Sequence, residues 1–250
     1  MRKRQFLLHW KILTYYENLL WEKKWVLVFL HGWMQDGTSF SEIFQILEEK
    51  NIPYVSLDLP GFGASQFLHD NMTIEEYWEV VISFIEKLWL KNPTLIWHSF
   101  GGRISIYLGS FYKNIDKIVL LCAAGIVHKI SFPKYIIVKT GKIILSFPGL
   151  RTLGRKIKEW FSSPDLRNAG KMEKIFRNTI SLDLQKNMKK IKYKTLMIWG
   201  KNDDVTPVSE WEIIHKHIKK SKLYILDWTH FVHQEQATKI TKMILDFTQK

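Results

Sequence analysis

The sequence lacks the cysteines from which disulfide frameworks and thiolate metal sites are built. Its 250 residues include one cysteine, Cys122, which excludes an internal disulfide and a multi-thiolate site. It also lacks any apolar run close to the roughly 18 residues that a membrane-spanning helix needs. The basic start, Met1-Arg2-Lys3-Arg4, suggests a signal peptide, but His9 and Lys11 interrupt the apolar residues that follow, and no small-residue cleavage site comes after them. We therefore expect a soluble, cytoplasmic protein without a transmembrane segment.

Acidic residues are scarce in one segment. Residues 127–194 contain 17 Lys and Arg against 4 Asp and Glu, so this segment carries the whole formal net charge of +13. Such a surface could face an anionic surface such as a membrane, or an acidic carrier protein. A solvated, lysine-rich helical face explains the excess equally well. Because no nucleic-acid-binding motif accompanies the basic residues, we expect no specific nucleic-acid partner.

Apolar residues are abundant. They make up 46% of the chain, and aromatic residues make up 14%, which is enough to form a full hydrophobic core. Short apolar, β-rich runs alternate with helical patterns, and this alternation predicts an α/β fold with a mostly parallel sheet covered by helices on both faces. The predicted strands are 25–30, 54–57, 94–97, 117–121, 195–199 and 222–226, with β-rich stretches near 5–10 and 12–16 as an antiparallel edge. The predicted helices are 38–50, 74–89 with Thr73 as N-cap, 100–113, 207–219 and 234–249.

The alternation fails between residues 126 and 192. This stretch has the pattern of several short, basic, amphipathic helices. Its breaks fall at Pro133, Gly141, Pro148-Gly149, Pro164 and Gly170. We therefore predict a core domain formed by residues 1–125 and 193–250, with residues 126–192 inserted as a helical cap, or lid. Apolar residues between 136 and 147 are expected to enclose a hydrophobic group.

Three reactive side chains follow predicted strands. Ligands and catalytic groups in an open α/β sheet sit at the carboxyl ends of the strands, and Ser99, Asp203 and His230 all occupy such positions in that order. A serine hydroxyl needs a base to become nucleophilic, and the base needs a carboxylate to orient it. Asp204 and His233 are the alternative acid and base, and an ordinary helix N-cap is the alternative role of Ser99.

The surroundings of Ser99 also suit acyl transfer. A helix beginning near Phe100 would direct its first N–H groups at a developing oxyanion. We predict that the backbone N–H groups of Phe100 and Trp33 form the oxyanion hole. Gly101 and Gly102 would let this helix pack closely against the sheet.

Five motifs occur in order along the chain: His31-Gly32-Trp33, Asp58-Leu59-Pro60-Gly61-Phe62-Gly63-Ala64-Ser65, His98-Ser99-Phe100-Gly101-Gly102, Gly200-x-x-Asp203-x-x-x-Pro207 and His230-x-x-x-x-Glu235. Together they resemble the α/β-hydrolase superfamily, from about residue 12 to 247. The resemblance implies an eight-stranded sheet, a cap inserted after the sixth strand, and a Ser–His–Asp triad. It places His31, Gly32, His98 and Gly101 in supporting positions. It requires neither a cofactor nor a metal.

The sequence departs from the family pattern at two positions. The glycine that usually begins the elbow motif is replaced by Trp97, whose side chain must enter space that other members fill, unless the elbow is displaced. The glycine that usually precedes the catalytic histidine is Thr229. Neither change removes a reacting group.

The predicted activity is hydrolysis of a small-molecule carboxylic ester with a hydrophobic acyl group, through an acyl-enzyme. The same triad also serves carbon–carbon bond hydrolases, lactonases and acyl-carrier thioesterases or methyl esterases. The basic cap resembles that of esterases that dock an acidic acyl-carrier protein. A non-catalytic binding protein of the same fold is the alternative from another class.

Overall fold

A single twisted sheet organises the chain. The computed structural model describes residues 1–19, 25–127 and 164–249. The strands within them are β1 (Arg2–Leu8), β2 (Lys11–Glu17), β3 (Leu27–Leu30), β4 (Tyr54–Leu57), β5 (Thr94–His98), β6 (Lys117–Leu121), β7 (Lys194–Gly200) and β8 (Ser221–Leu226). Their order is β1-β2-β4-β3-β5-β6-β7-β8. Strands β3 to β8 are parallel, while β1 and β2 form an antiparallel hairpin on the edge. The eight-stranded, mostly parallel sheet of the prediction is confirmed.

Helices cover the sheet. Those of the described ranges are α1 (Ser41–Glu49), α2 (Ile74–Lys87), α3 (Phe100–Gly109), α4 (Pro164–Asn168), α5 (Glu173–Ser181), α6 (Gln185–Met188), α7 (Val208–His217), α8 (Val232–Glu235) and α9 (Ala237–Thr248), with a 3₁₀ turn at Gly170–Met172. Helix α1 packs against α9, whereas α3 contacts α2 and α6. Strands β3 to β6 are buried along their whole length, as a sheet covered on both faces requires. No helix in these ranges has the length and apolar character needed to cross a bilayer.

Local sequence accounts for some helix ends and not for others. The predicted N-cap Thr73 is confirmed: its hydroxyl accepts the N–H of Glu76, whose carboxylate accepts the N–H of Thr73 in return. The single helix predicted for 234–249 is wrong, because the chain breaks at Gln236 (φ −145°, ψ 50°) and forms α8 and α9. The break allows α8 to direct His233 into the core beside Phe40.

Part of the predicted cap falls outside the described residues. These are 128–163, which include the expected breaks at Pro133, Gly141 and Pro148-Gly149 and the apolar stretch 136–147. In the described remainder, Pro164 begins α4, where a missing N–H costs a helix nothing. Gly170 has a φ of +52°, between α4 and α5. The boundaries 126 and 192 remain a prediction.

Candidate active site

Ser99 occupies a sharp turn between strand and helix. Strand β5 ends at His98 and α3 begins at Phe100, so Ser99 alone makes the turn, with φ 47° and ψ −109°. Positive φ is rare for a residue other than glycine and stores strain. The turn is held by β6, because the Ser99 N–H donates to the Leu121 carbonyl oxygen (3.0 Å) and its own carbonyl accepts from Ala124 N–H (3.1 Å). This is the geometry of a nucleophile elbow.

The two glycines after Ser99 sit where a side chain would collide with the sheet. A Cβ on Gly101 would lie 2.7 Å from the Leu30 carbonyl oxygen and 2.9 Å from that of His31. A Cβ on Gly102 would overlap the side chain of Ala123. Close contact between α3 and the strand ends therefore requires glycine at both positions.

Trp97 fits the elbow by pointing away from it. Its indole is fully buried, and Nε1 donates to the Val28 carbonyl oxygen on β3 at 3.1 Å. Successive side chains of a strand face opposite sides of the sheet, so the indole and the His98 ring project to opposite faces. The departure from the family pattern at this position leaves the turn at Ser99 formed.

An imidazole–carboxylate pair lies at the same edge of the sheet. His230 Nδ1 is 2.9 Å from Asp203 Oδ2, and both residues are buried. Asp203 Oδ1 accepts the N–H groups of Val205 (2.9 Å) and Thr206 (2.8 Å), and the Thr206 hydroxyl donates to Oδ2 (2.7 Å). Burial alone would raise the pKa of Asp203, but the hydrogen bonds from His230 and Thr206 outweigh it and hold the pKa below its ordinary value. Asp203 is therefore a carboxylate that fixes the orientation of His230.

The alternative acid and base are placed differently. Asp204 is exposed to solvent. His233 is buried, and neither of its ring nitrogens has a hydrogen-bond partner among the described residues. Among those residues no hydrogen bond joins the Ser99 hydroxyl to His230 either; such bonds are often long before substrate binds.

The loop after β3 is ordered by His31 and Gln35. His31 Nδ1 lies 2.7 Å from the Gly32 carbonyl oxygen, and its Nε2 accepts the Leu59 N–H (3.0 Å), which fixes the proton on Nδ1. The Gly32 N–H donates to Gln35 Oε1 (2.9 Å). Complete burial lowers the pKa of His31 to about 4. At neutral pH the ring is therefore uncharged, and its two hydrogen bonds hold this loop in place.

The two predicted oxyanion donors belong to the residue after Ser99 and to the loop after β3. Phe100 is the first residue of α3, and the first N–H groups of a helix have no acceptor within it. Within the described ranges, the backbone N–H groups of Phe100 and Trp33 donate to no loop or turn carbonyl oxygen.

A group of buried histidines was not anticipated from the sequence. His98 Nδ1 lies 3.0 Å from Gln35 Oε1, and its Nε2 lies 3.0 Å from the His230 carbonyl oxygen. The ring of His233 packs against that of His98, with centroids 4.2 Å apart. Burial, with His233 and His230 nearby, lowers the pKa of His98 well below its ordinary value, and burial lowers that of His233 to about 3. Neutral His98 thus links the elbow to the loop of His230.

Hydrogen bonds between Thr229 and Glu235 hold the loop that carries His230 in place. The Thr229 N–H and hydroxyl both bond the carboxylate of Glu235, the N–H at 3.1 Å. This pairing explains why a threonine can stand in place of the family's glycine. A Cβ on Gly200 would overlap the Thr229 carbonyl oxygen, so the position of this loop also depends on a glycine at the end of β7.

An aromatic cluster borders the loop after β3. The indole of Trp33 lies between the rings of Phe62 (5.0 Å), Phe100 (5.3 Å) and Phe176 (4.7 Å). Phe176 belongs to α5, so the described part of the predicted cap contacts the site. These rings give the site an apolar wall next to Ser99.

Helix α4 also approaches the site. Burial raises the pKa of half-buried Asp165, and the nearby His230 opposes this shift. The carboxyl group therefore lies within electrostatic reach of the imidazole. No sequence pattern singled out Asp165, because its relation to His230 depends on how the inserted helices fold over the sheet.

Cys122 lies next to the Asp203–His230 pair. Strand β6 ends one residue earlier, and Cys122 has a φ of +45°. Its Sγ and the ligand atoms of Asp203 and His230 all lie within 4.8 Å of one another, a donor set that a soft divalent metal could use. Burial raises the pKa of the thiol well above its ordinary value, and Asp203 and His230 already bond each other. The Cys122 thiol is therefore neutral and packs against the hydrogen-bonded Asp203–His230 pair.

Comparison with known proteins agrees with the fold. Residues 26–153, more than half of the chain, match the alpha/beta hydrolase fold family. The protein called "Uncharacterized hydrolase YugF" of Bacillus subtilis (strain 168) is 29% identical over 94% of this chain and 93% of its own length. The monoacylglycerol lipase ABHD6 of Mus musculus is 26% identical over 88% of this chain and 74% of its own.

Two solved structures have the same architecture. A hydrolase from Pseudomonas aeruginosa PA01 covers 98% of this chain and 97% of its own, with a TM-score of 0.77 at 18% identity. The enol-lactonase from Burkholderia xenovorans LB400 covers 99% and 100%, also with a TM-score of 0.77 at 18% identity. At this identity the likeness concerns the fold alone. With the family match, it shows that the chain belongs to the α/β-hydrolase fold family, whose members are generally hydrolases.

Proposed function

We propose that the chain is a serine hydrolase that cleaves a carboxylic ester through an acyl-enzyme. The proposal rests on the contacts that connect Asp203, His230 and the turn at Ser99. Asp203, after β7, and His230, after β8, lie 2.9 Å apart, and the His230 carbonyl oxygen contacts His98, the residue next to Ser99. A strained turn at Ser99 presents the hydroxyl at the same edge. Hydrogen-bonded pairing of base and acid beside such an elbow is what acyl transfer by serine needs.

In the acylation step, Ser99 Oγ attacks the ester carbonyl carbon while His230 Nε2 takes the hydroxyl proton. The carbonyl oxygen becomes an oxyanion, which accepts hydrogen bonds from the backbone N–H groups of Trp33 and Phe100. Each donor in such a hole is worth about 2.7–4 kcal/mol of transition-state stabilisation. Asp203 stabilises the imidazolium that forms and keeps its Nδ1–H in place.

Collapse of this intermediate breaks the bond to the alcohol. His230 gives its proton to the leaving oxygen, and the acyl group stays on Ser99. Water then attacks the acyl carbon while His230 takes its proton, and the acid is released with the serine restored. His31, Gly32, His98 and Gly101 act by positioning. The bond changes balance without a cofactor or a metal.

The apolar wall supports a hydrophobic acyl group. The rings of Phe62, Phe100 and Phe176 pack around that of Trp33, in the loop after β3, and a fatty acyl chain buried against them would gain about 0.8 kcal/mol per methylene. The mouse relative is named for monoacylglycerol. We therefore propose a long-chain monoester, with monoacylglycerol as the first substrate to test, and the inserted segment 126–192 as the cap over it.

A fluorophosphonate probe tests the nucleophile. Wild type should be labelled at Ser99 as the serine displaces fluoride from phosphorus, and Ser99→Ala should not be labelled. Ser105→Ala is the matched control, because Ser105 is a second buried serine, on α3, and its loss should leave labelling intact. Failure of the wild type to react would favour a binding protein of the same fold.

Asp203→Asn tests the assignment of the acid. An amide keeps the shape of the side chain but favours the wrong tautomer of His230, so kcat should fall by about 10⁴-fold. Asp204→Asn, one residue along and exposed, should retain nearly full activity. An ester panel graded by acyl length, with a lactone and a thioester included, then distinguishes the substrate classes that share this triad.

The positive charge of residues 127–194 supports a second, separate proposal about partners. An acidic acyl-carrier protein or another anionic surface would be drawn to it. Activity on carrier-bound ester should fall when Lys186, Lys189 and Lys190 are changed to Glu, with activity on the free ester unchanged. If the triple variant cleaves the carrier-bound ester as fast as wild type does, the proposal of a carrier protein is wrong.

A further inference from the structure

A thiol, a carboxylate and an imidazole meet at the carboxyl edge of the sheet. Cys122 follows β6, Asp203 follows β7 and His230 follows β8, and these three strands are neighbours. The Cys122 Sγ and the ligand atoms of the other two side chains lie within 4.8 Å of one another, and all three residues are buried. The parallel pairing of the strands therefore brings together three different donor atoms, sulfur, oxygen and nitrogen.

The backbone beneath the thiol is fixed relative to the carboxylate. Cys122 has a φ of +45°, which is rare for a residue that carries a side chain. Its N–H donates to the Ile198 carbonyl oxygen on β7 at 3.0 Å. Its carbonyl oxygen lies 3.3 Å from the Thr206 hydroxyl, the same group that bonds Asp203. Cys122 and Asp203 are thus held by contacts to the same strand and the same threonine.

The spacing of the three donors is close to that around a divalent ion. Zinc bonds nitrogen and oxygen at about 2.0–2.2 Å and sulfur at about 2.3 Å, so a tetrahedral ion separates its ligand atoms by roughly 3.3–3.6 Å. The 2.9 Å between His230 Nδ1 and Asp203 Oδ2 would open by about half an ångström. The Cys122 Sγ would approach by no more than about 1.3 Å. The Thr229 carbonyl oxygen, 4.0 Å from Sγ, or a water completes four ligands.

The charges of the donors select the class of ion. A thiolate beside the Asp203 carboxylate would place two negative charges together in a buried site, which keeps the thiol protonated on its own. A divalent cation cancels both charges, so the loaded site is neutral. Sulfur and nitrogen donors favour Zn²⁺ and its soft analogue Cd²⁺, whereas Mg²⁺ and Ca²⁺ take oxygen ligands.

We propose that Cys122, Asp203 and His230 form an inhibitory site for a thiophilic divalent ion such as Zn²⁺. On binding, the Cys122 thiol releases its proton to water, and the proton on His230 Nδ1 moves to Nε2 as the ion takes its place. A protonated Nε2 cannot accept the proton of Ser99, and Asp203 no longer orients the ring. The inhibition rests on the proposed function, whereas binding of the ion does not.

Titration with Cd²⁺ tests the site directly. A cadmium–thiolate bond gives an ultraviolet charge-transfer absorption, and because Cys122 is the only cysteine of the chain, this absorption reports that residue alone. In wild type it should saturate at a single ion per chain. Zn²⁺ should remove it by displacing cadmium, and Mg²⁺ should not. Cys122→Ala should give no absorption. A wild type that shows none would overturn the proposal.

Zinc inhibition tests the consequence for catalysis. The Zn²⁺ concentration that halves ester hydrolysis should rise at least about tenfold in Cys122→Ala and in Cys122→Ser, because even residues outside the ligand set change metal affinity by about 10–100-fold. Each rate is compared with that of the same variant in a chelator, and thermal midpoints verify folding. A chelator should restore wild-type activity. Equal inhibition of wild type and both variants would overturn the proposal, as would full activity of the cadmium-loaded enzyme.

An exposed imidazole–carboxylate pair supplies the matched control. His69 Nε2 lies 2.8 Å from Glu76 Oε1, so this pair has two of the three donor types and no thiol. His69→Ala should be inhibited as strongly as wild type, and a loss of inhibition in this variant would contradict the assignment. If wild type neither hydrolyses esters nor reacts with a fluorophosphonate, the proposed function is wrong, whereas the cadmium–thiolate absorption still decides whether the ion binds at Cys122.

Discussion

His98 Nε2 lies 3.0 Å from the backbone carbonyl oxygen of His230, and this contact joins two loops that are 132 residues apart in the chain. One loop carries the proposed nucleophile and the other the proposed base. A second contact, 3.0 Å from His98 Nδ1 to Gln35 Oε1, places the same ring against the loop after β3. An uncharged imidazole has one N–H and donates to only one of these two oxygens, but its ring lies between all three parts of the site.

His98→Phe should separate these loops without emptying the space between them. We expect kcat for a soluble short-chain ester to fall about tenfold, since a lost buried hydrogen bond is worth on the order of 1–3 kcal/mol, while KM stays within a factor of two or so. His215→Phe, at an exposed residue of α7 whose ring bonds Ser221, is the control. A rise in KM with unchanged kcat would show that His98 does not position the reacting groups.

Gly200→Ala should displace the loop of His230. The added methyl group overlaps the Thr229 carbonyl oxygen, which is backbone and cannot rotate away. We expect kcat to fall by at least about tenfold and stability to fall by about 1–3 kcal/mol. Gly109→Ala is the control, because there the new methyl group comes too close only to the movable tip of the Ile118 side chain and lies at ordinary contact distance from Ile191, and alanine favours a helix. Unchanged kcat in Gly200→Ala would mean that the loop can shift without loss.

The positions of Ser99, Asp203 and His230 could be predicted because they follow from chain order. Alternating strand and helix patterns locate the carboxyl ends of parallel strands, and those ends meet at one edge whatever the side chains between them. The antiparallel edge near residues 5–16 was foreseeable for the same reason, as period-two patterns mark strands without reference to the rest of the fold.

Contacts between distant side chains could not be predicted in this way. Gln35 joins Gly32 to His98, but a glutamine in a loop carries no signal of its partners. His233 was weighed only as a rival base, because nothing local shows that α8 breaks from α9 and turns this ring against His98. The direction of the buried Trp97 side chain, away from the elbow, depends likewise on the Val28 carbonyl oxygen, 69 residues away.

Buried neutral histidines should make the fold sensitive to acid. In the unfolded chain a histidine binds a proton below about pH 6.5, whereas burial holds the pKa of His31 at about 4 and that of His233 at about 3. Between these limits the unfolded state binds more protons, so the free energy of unfolding decreases as the pH falls. Each of these two residues should remove about 2 kcal/mol between pH 7 and pH 5, which urea titrations at each pH would measure.

His233→Phe isolates one part of this acid effect. Both ring nitrogens of His233 are buried without a partner among the described residues, and its ring packs against Phe40 and His98, so a phenyl ring suits the space. We expect the variant to be more stable by about 1–3 kcal/mol at pH 7 and to lose less stability on acidification. A slope unchanged in His233→Phe would contradict burial of this histidine in neutral form.

Arg103 connects the core to the inserted helices. It lies on α3, and its guanidinium is buried and donates to the carbonyl oxygens of Thr179 (3.0 Å), Ile180 (3.3 Å) and Leu182 at the end of α5. Burial lowers the pKa of Arg103 to about 10, so it is charged at neutral pH. A charge that bonds the last carbonyl groups of a helix also opposes the negative end of its dipole.

Arg103→Met should therefore cost about 3 kcal/mol of stability, since three carbonyl groups, that of Thr179 fully buried, lose a charged donor. Arg103→Lys should recover only part of this, because an ammonium cannot reproduce the planar fork. Arg177→Met, on the exposed face of α5 beside Glu173, should cost at most about 0.5 kcal/mol. Helix α5 carries Phe176 against Trp33, so KM for long-chain esters should rise in Arg103→Met while short-chain esters are unaffected. A uniform effect on all chain lengths would mean that α5 does not shape the acyl site.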